Sequence, residues 1–354
     1  MKNTFHRRAL PASGQALDPL RDLSARIGND PLLIQAANGN TSIKLDGVLW
    51  IKASGKWLAR ATRERMFVPL DLAEIRDRVR AGMEIGTNFP DDLRPSIETA
   101  MHAVLPHRVV IHVHSVNAIA WAVRVDGPSQ LKERLTGLRW RWIPYAASGL
   151  PLAGEIAKAT ADEPKTDVFI LGNHGLVVCG EDCAAAEGLL RRVERRLRIV
   201  PRRFPKPDIT VLSMISRFPR WRFPDVELLH ALGTDAVSRK ILKTGVLYPC
   251  QAIFLGTAIP IWPPAAALAG VAKSTREGAK TPRFVAVERC GVLVDEGMTG
   301  AERATLLGLA QVTLRTEESA LLRYLHRAEV LSVLTGPSYG QQPAAANGSA
   351  FTSS

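Results

Sequence analysis

Apolar residues recur along this chain with two periods, and the change of period marks its elements. From residue 19 to 27, PLRDLSARI has the three-to-four spacing of an amphipathic helix. Residues 35–55, QAANGNTSIKLDGVLWIKASG, alternate instead. Their two strand-like runs flank Asp46 and Gly47, residues suited to a tight turn, so a β-hairpin is predicted. Small residues predict tight loops at its ends, at Gly39-Asn40-Thr41 and at Ser54-Gly55-Lys56. RERMFVPLDLAEIRDRVRAG predicts a strand and a short charged helix, and NFPDDLRPS a loop. Pro95 and Ser96 then suit the start of a helix that carries Glu98, with His102 one turn later on the same face. VVIHVH is an apolar strand, NAIAWAVRV a helix, and residues 131–144 a connection in which Trp140 and Trp142 pack. A helix at 151–160, a strand–turn–strand in VFILGNHGLVVCG and a long helix over 183–199 complete this half.

Beyond it the pattern changes. Residues 201–224 repeat Pro and Arg and predict a basic linker. Residues 225–335 predict a smaller α/β region. DVELLHALGTDAVSRKILKTG forms helical turns around Gly233, and QAIFLG and RFVAVERCGVLVD form strands separated by a Lys/Arg/Gly loop. Amphipathic helices are predicted over 299–316 and 317–334. The polar first residues predict a loose tail, and 336–354, rich in Gly, Ala, Ser and Gln, predict a disordered one.

Composition narrows the classes. A chain of 354 residues with 46% hydrophobic content predicts two domains with sizeable cores. No apolar run is long enough to span a membrane, and the N-terminus lacks a leader's apolar core. Four cysteines do not make a disulfide framework, so buried thiols and a cytoplasmic location are expected. The net charge of +12 admits nucleic acid or an anionic small molecule. Much of it is local, in RRVERRLRIVPRRFPKP, with no helix-turn-helix, finger or aromatic RNA-binding pattern beside it. A solvated helix face and linker is the expectation, with no nucleic-acid partner. No G-x-G-x-x-G occurs, so a dinucleotide module is not expected.

The chemistry-bearing residues lie between 94 and 175. His112 and His114 are spaced i, i+2 on a strand and share a face. Two imidazoles so placed suit a divalent metal, with His174 as a third ligand and an open position for substrate. Buried histidines bonded to backbone are the competing reading. The loops at 39–41 and 54–56 are either anion-binding turns or plain hairpin ends.

As a set, GNTSIKL, IKASG, SIETAMH, VVIHVHS and LGNHGLVVCG resemble, in order and spacing, the class II aldolase/adducin family over residues 15–200. The resemblance implies an α/β fold, with a three-layer α/β/α domain around a mostly antiparallel sheet. The second region resembles the C-terminal part of longer rhamnulose-phosphate aldolase/dehydrogenase-type relatives. In the family, residues at the positions of His112, His114 and His174 hold a divalent metal, Zn²⁺ foremost, with Mn²⁺ or Co²⁺ as alternatives. Glu98 takes the position of the catalytic acid/base. Asn40, Thr41, Ser54, Gly55 and Ser96 take the positions that cradle a substrate phosphate. His102 is expected to support Glu98 or the metal rather than ligate it. The activity implied is a metal-dependent lyase that breaks or forms a C–C bond in a ketose phosphate or related hydroxy-ketone, through a metal-stabilised enediolate.

A homo-oligomer, favoured as a tetramer, is implied as well. Two departures bear on the substrate. Ile97 stands where fuculose-phosphate aldolases have a second serine, and their tyrosine acid has no clear counterpart, with Tyr145 the nearest substitute. A dehydratase, decarboxylase or epimerase on the same scaffold stays open, although Glu98 replaces the aspartate of epimerase relatives. So does a non-enzymatic adducin-like module, against which stand the three retained histidines and the carboxylate.

Overall fold

In the computed structural model, residues 15–85, 93–274 and 282–336 are described. Both expected tails, apart from their innermost residues, and parts of the loops near 88–92 and 273–283 lie outside them. The chain forms two compact units, one built on residues up to Ala122 and Asp126–Arg198, the other on Val123–Val125 and Ile199–Leu334.

The first unit is organised by a seven-stranded sheet. Its strands are β1 (Asn40–Leu45), β2 (Val48–Lys52), β3 (Phe67–Asp71), β4 (Val109–Val113), β5 (Trp140–Ile143), β6 (Val168–Leu171) and β7 (Gly175–Gly180), in the order β3-β2-β1-β4-β7-β6-β5. All neighbours are antiparallel except β5 and β6. The β1–β2 turn forms as predicted. Asp46 (φ 50°) and Gly47 (φ 78°) are both left-handed, which matches the twist of a two-residue hairpin.

Helices cover both faces. On one side lie α2 (Leu72–Arg80), α3 (Thr99–Val104) and α6 (Leu150–Asp162). There Met101 of α3, Leu105 just after it, and Leu152 and Ile156 of α6 pack on Val110, Phe169, Val177 and Cys179 of the sheet. On the other lie α1 (Asp18–Gly28), α4 (Val116–Ala122) and α7 (Cys183–Leu197), while α5 (Gly127–Arg134) leads into β5. The result is the expected three-layer α/β/α architecture. Burial on both faces explains why β4 is apolar without alternation, since all five of its residues are buried. Polar N-caps fix two helix starts: Asp71 accepts from the Glu74 amide at 2.9 Å, and Asp182 from the Ala185 amide at 2.7 Å.

Three local expectations for this unit change. Asn40 and Thr41 are the first residues of β1 and not a loop; the turn is completed by Gly39 at φ 68°. Residues 131–144 hold the end of α5 and the edge strand β5, whose WRWI alternates as a strand should. Glu98 is the N-cap of α3 and not an interior helical residue.

The second unit holds α8 (Ile209–Ile215), β8 (Trp221–Arg222), α9 (Ala231–Thr234), α10 (Ala236–Thr244), β9 (Ile261–Trp262), α11 (Pro264–Ser274), β10 (Phe284–Val287), β11 (Gly291–Asp295), α12 (Gly300–Leu314) and α13 (Arg327–Thr335). Its sheet order is β8-β11-β10-β9. Trp221, Leu212, Val285 and Leu293 share its core. Residues 201–224, read as a linker, therefore carry a helix and a strand packed into this unit. QAIFLG, read as a strand, is a π-helical turn over Gln251–Leu255. The last predicted helix begins only at Arg327, and α12 starts with a capping box between Thr299 and Glu302. No helix among the described residues is long and apolar enough to cross a membrane.

Candidate active site

One end of the first sheet gathers most of the polar residues singled out above. β1 and β4 pair so that Asn40 lies opposite His112. His114 follows β4 with the same facing, two residues on. His174 sits in the β6–β7 turn, where Asn173 takes a left-handed φ of 52° and its amide donates to the Ala122 carbonyl at 3.0 Å. Gly175 lets this turn close on β4: a Cβ there would stand 2.5 Å from the Val113 carbonyl oxygen.

The three imidazoles are buried, and their candidate ligand atoms all lie within 4.8 Å of one another. The rings face edge-on, with centroids 4.9 to 5.0 Å apart. His112 Nδ1–H donates to the Leu176 carbonyl at 3.1 Å, which leaves the Nε2 lone pair for other use. That Nε2 lies 3.1 Å from His114 Nε2. Burial pushes His112 down to about 4 and His114 well below the ordinary range, so these two present neutral imidazoles. Neutral nitrogen donors converging at this separation are the donor set and spacing that a zinc-type ion takes.

Glu98 reaches the cluster from the start of α3. Its Oε1 is 3.2 Å from His174 Nε2, and its Oε2 is 3.4 Å from His112 Nε2. Asn40 Nδ2 donates to Oε2 at 2.8 Å, and the Ser148 hydroxyl to Oε1 at 3.2 Å. Burial opposes the charge on Glu98, but His112 and His114, which gain charge as pH falls, together with the hydrogen bond to His174, hold its carboxyl well below the usual carboxylate range.

The other predicted residues divide into two groups. Ser96 is in the cluster: its hydroxyl oxygen accepts from Asn40 Nδ2 at 3.0 Å and from the Glu98 amide at 3.2 Å. The Ser54-Gly55 turn lies alongside, because Ala53 bridges Pro95 and the Ser54 amide donates to the Arg94 carbonyl at 2.8 Å. Gly55 there has φ 74°. Asn40 is engaged by His102, Ser96 and Glu98. Thr41 turns to the opposite face of the sheet and shares a hydrogen bond of 2.6 Å with Ser24 of α1. Tyr145 and Ser148 belong to the same segment after β5, and it is Ser148 that meets Glu98.

Two participants carry no sequence signal. Ser148 is one. Lys52, at the end of β2, is the other: it is 2% exposed and donates to the Ala37 carbonyl at 2.7 Å. Its own carbonyl accepts from the Ser96 amide at 3.1 Å. Burial pushes its ammonium down to about 7, against the pull of Glu98.

Residues 24–200, half of the chain, match the class II aldolase and adducin N-terminal domain. The chain belongs to this family. Class II aldolases are generally metal-dependent, and the three-histidine cluster is present in this member. Among relatives, it is 31% identical over 189 residues to methylthioribulose-1-phosphate dehydratase of Enterobacter sp. (strain 638), covering 46% of this chain and 86% of that protein. It is 33% identical over 174 residues to "Uncharacterized oxidoreductase YuxG" of Bacillus subtilis (strain 168), covering 44% of this chain but only 25% of that longer protein. Among solved structures, the N-terminal class II aldolase domain of a conserved protein from Thermoplasma acidophilum aligns with 56% of this chain and 97% of its own, at 23% identity and a TM-score of 0.45.

Proposed function

We propose that this protein is a metal-dependent lyase that acts beside the carbonyl of a ketose phosphate or related hydroxy-ketone, with Glu98 as its acid/base. The observation that carries this reading is the placement of Glu98. The carboxylate touches two of the three clustered histidines, and donors from Asn40 and Ser148 hold both of its oxygens. His112, His114 and His174 would hold the ion. When bound, a divalent cation supplies Lewis acidity that lowers the barrier to removing a proton beside a carbonyl. Glu98 then holds or delivers that proton at the carbon. Ser54, Gly55 and Ser96 would bind an anionic group of the substrate, a role supported by the Ser54-Gly55 turn running alongside the segment that carries Ser96.

Two outcomes of that proton transfer are open to the same residues. In the aldolase direction, Glu98 returns a proton to the carbon whose C–C bond has broken. In the dehydratase direction, it takes a proton from the carbon next to the carbonyl and passes it to the neighbouring hydroxyl, which leaves as water. The 31% identity to a methylthioribulose-1-phosphate dehydratase favours keeping the second direction beside the first. A panel of ketose phosphates, with and without added Zn²⁺ or Mn²⁺, separates them: one reaction releases an aldehyde, the other a product lighter by one water. We expect turnover that a chelator abolishes. A protein that binds no metal and turns over no member of the panel would sink the lyase reading.

A further inference from the structure

We propose that Ser42, His102 and Asn40 form a positioning relay for Glu98. The relay is a chain of buried hydrogen bonds. Ser42 Oγ lies 2.7 Å from His102 Nδ1, His102 Nε2 lies 2.5 Å from Asn40 Oδ1, and Asn40 Nδ2 donates to Glu98 Oε2 at 2.8 Å. Ser42 and His102 are fully buried, and Asn40 and Glu98 nearly so.

The spacing of two elements creates it. Asn40 and Ser42 are two apart on β1 and share the face covered by α3. Glu98 and His102 are four apart at the start of α3. Two strand residues advance about 6.8 Å and four helical residues about 6 Å, so each residue of one pair meets its counterpart of the other. Glu98 faces Asn40, His102 faces Ser42, and His102 also crosses to Asn40.

The donors follow from elementary chemistry. An amide oxygen only accepts, so His102 Nε2 carries the hydrogen. A neutral imidazole then accepts at Nδ1, so the Ser42 hydroxyl donates there. Burial, reinforced by the nearby Lys44 charge, keeps His102 well below its ordinary pKa and hence neutral. Turning the Asn40 amide over would set its carbonyl oxygen against the Glu98 carboxylate and its NH₂ against the His102 N–H. The relay locks the orientation that points a donor at Glu98. His102 is thus a positioning residue that acts on Glu98 through Asn40. Its consequence for turnover rests on the reading of Glu98 as acid/base; the lock itself does not.

The test uses the full chain labelled with ¹⁵N-histidine and ¹⁵N-asparagine. NMR should show His102 as the Nε2–H tautomer wherever the protein is folded, and slow solvent exchange of the Asn40 side-chain amide. His102→Phe should speed that exchange at least ~10-fold and lower kcat more than it changes KM. His102→Gln, whose amide can still donate to Asn40 Oδ1, should restore much of both. An imidazolium or an Nδ1–H tautomer at His102 overturns the relay, as does unchanged Asn40 exchange in His102→Phe. If His102→Phe does not fold, the wild-type tautomer decides alone. A wild type that keeps the stated tautomer but turns over no substrate would count against the lyase reading and leave the relay standing.

Discussion

Lys52 shows what a single buried charge does to this protein. Its ordinary pKa of 10.5 falls to about 7 inside the fold. Between those values the unfolded chain binds the proton and the folded chain does not. Stability from this group therefore rises with pH from about 7 to about 10.5 and is weakest below 7. Each pKa unit of such a difference corresponds to ~1.4 kcal/mol. Lys52→Met keeps the length of the side chain and removes the charge. The variant should unfold at a higher temperature than wild type near pH 6.5, and its advantage should shrink by several degrees towards pH 9.5. Melting curves at both values check this, and an advantage independent of pH would show that Lys52 is not depressed by burial. At this scale the sequence told of some residues and not others. His112 and His114 were visible because strand period puts them on one face, and Glu98 and His174 because the family motifs mark them. Ser148 was invisible because nothing local links it to a carboxylate 50 residues away. Lys52 lies in the strand-like run VLWIK, whose pattern does not mark it as buried. Its burial depends on the Ala36–Ala37 turn folding over it, which alternation does not encode.

Among the elements, those with strong local chemistry came out as predicted. The β1–β2 hairpin follows from Asp46-Gly47, and β4 from a run that is apolar but for His112, with helices on both faces. QAIFLG is as apolar as a strand, but it winds into a π-helical turn over Gln251–Leu255 packed on α12, a tertiary choice that a six-residue run cannot reveal. Likewise Asn40 and Thr41 look like loop residues because Gly39 precedes them, yet pairing with His112 and Ile111 draws both into β1. The β6–β7 turn is the element on which the site most depends. Gly175→Ala would drive a methyl to 2.5 Å from the Val113 carbonyl oxygen and 3.5 Å from His112 Cε1. We expect the fold to survive but Zn²⁺ affinity to fall at least ~10-fold, as for groups that orient ligands. Phe169→Ala, in the core beneath α3 and α6, should do the reverse: a loss of ~3–5 kcal/mol in stability with one metal still bound per folded chain. Competition with a chromogenic chelator, alongside urea unfolding, reads both. Equal metal affinity in Gly175→Ala and wild type would detach the turn from the site.

For the whole molecule, the claim that matters is that the first unit carries a metal centre with a working carboxylate. Family resemblance also leads us to expect a homo-oligomer, a tetramer foremost, of 38.6 kDa chains. Sedimentation velocity at assay concentration tests that, and a monomer that retains full turnover would remove the expected role for a partner subunit. The central claim is tested most directly by Glu98→Gln. Glutamine keeps the size and much of the hydrogen bonding with Asn40 and Ser148 but cannot take a proton. The measurement is deuterium uptake from D₂O at the carbon next to the carbonyl, across the ketose phosphate panel, with metal content determined on the same samples. Wild type should exchange. Glu98→Gln should keep its metal and its fold and exchange more slowly by ~10²–10⁴-fold, the range in which positioned general acids and bases act. Exchange at the wild-type rate in Glu98→Gln would contradict the account, and loss of the metal together with exchange would make Glu98 a ligand instead of the acid/base.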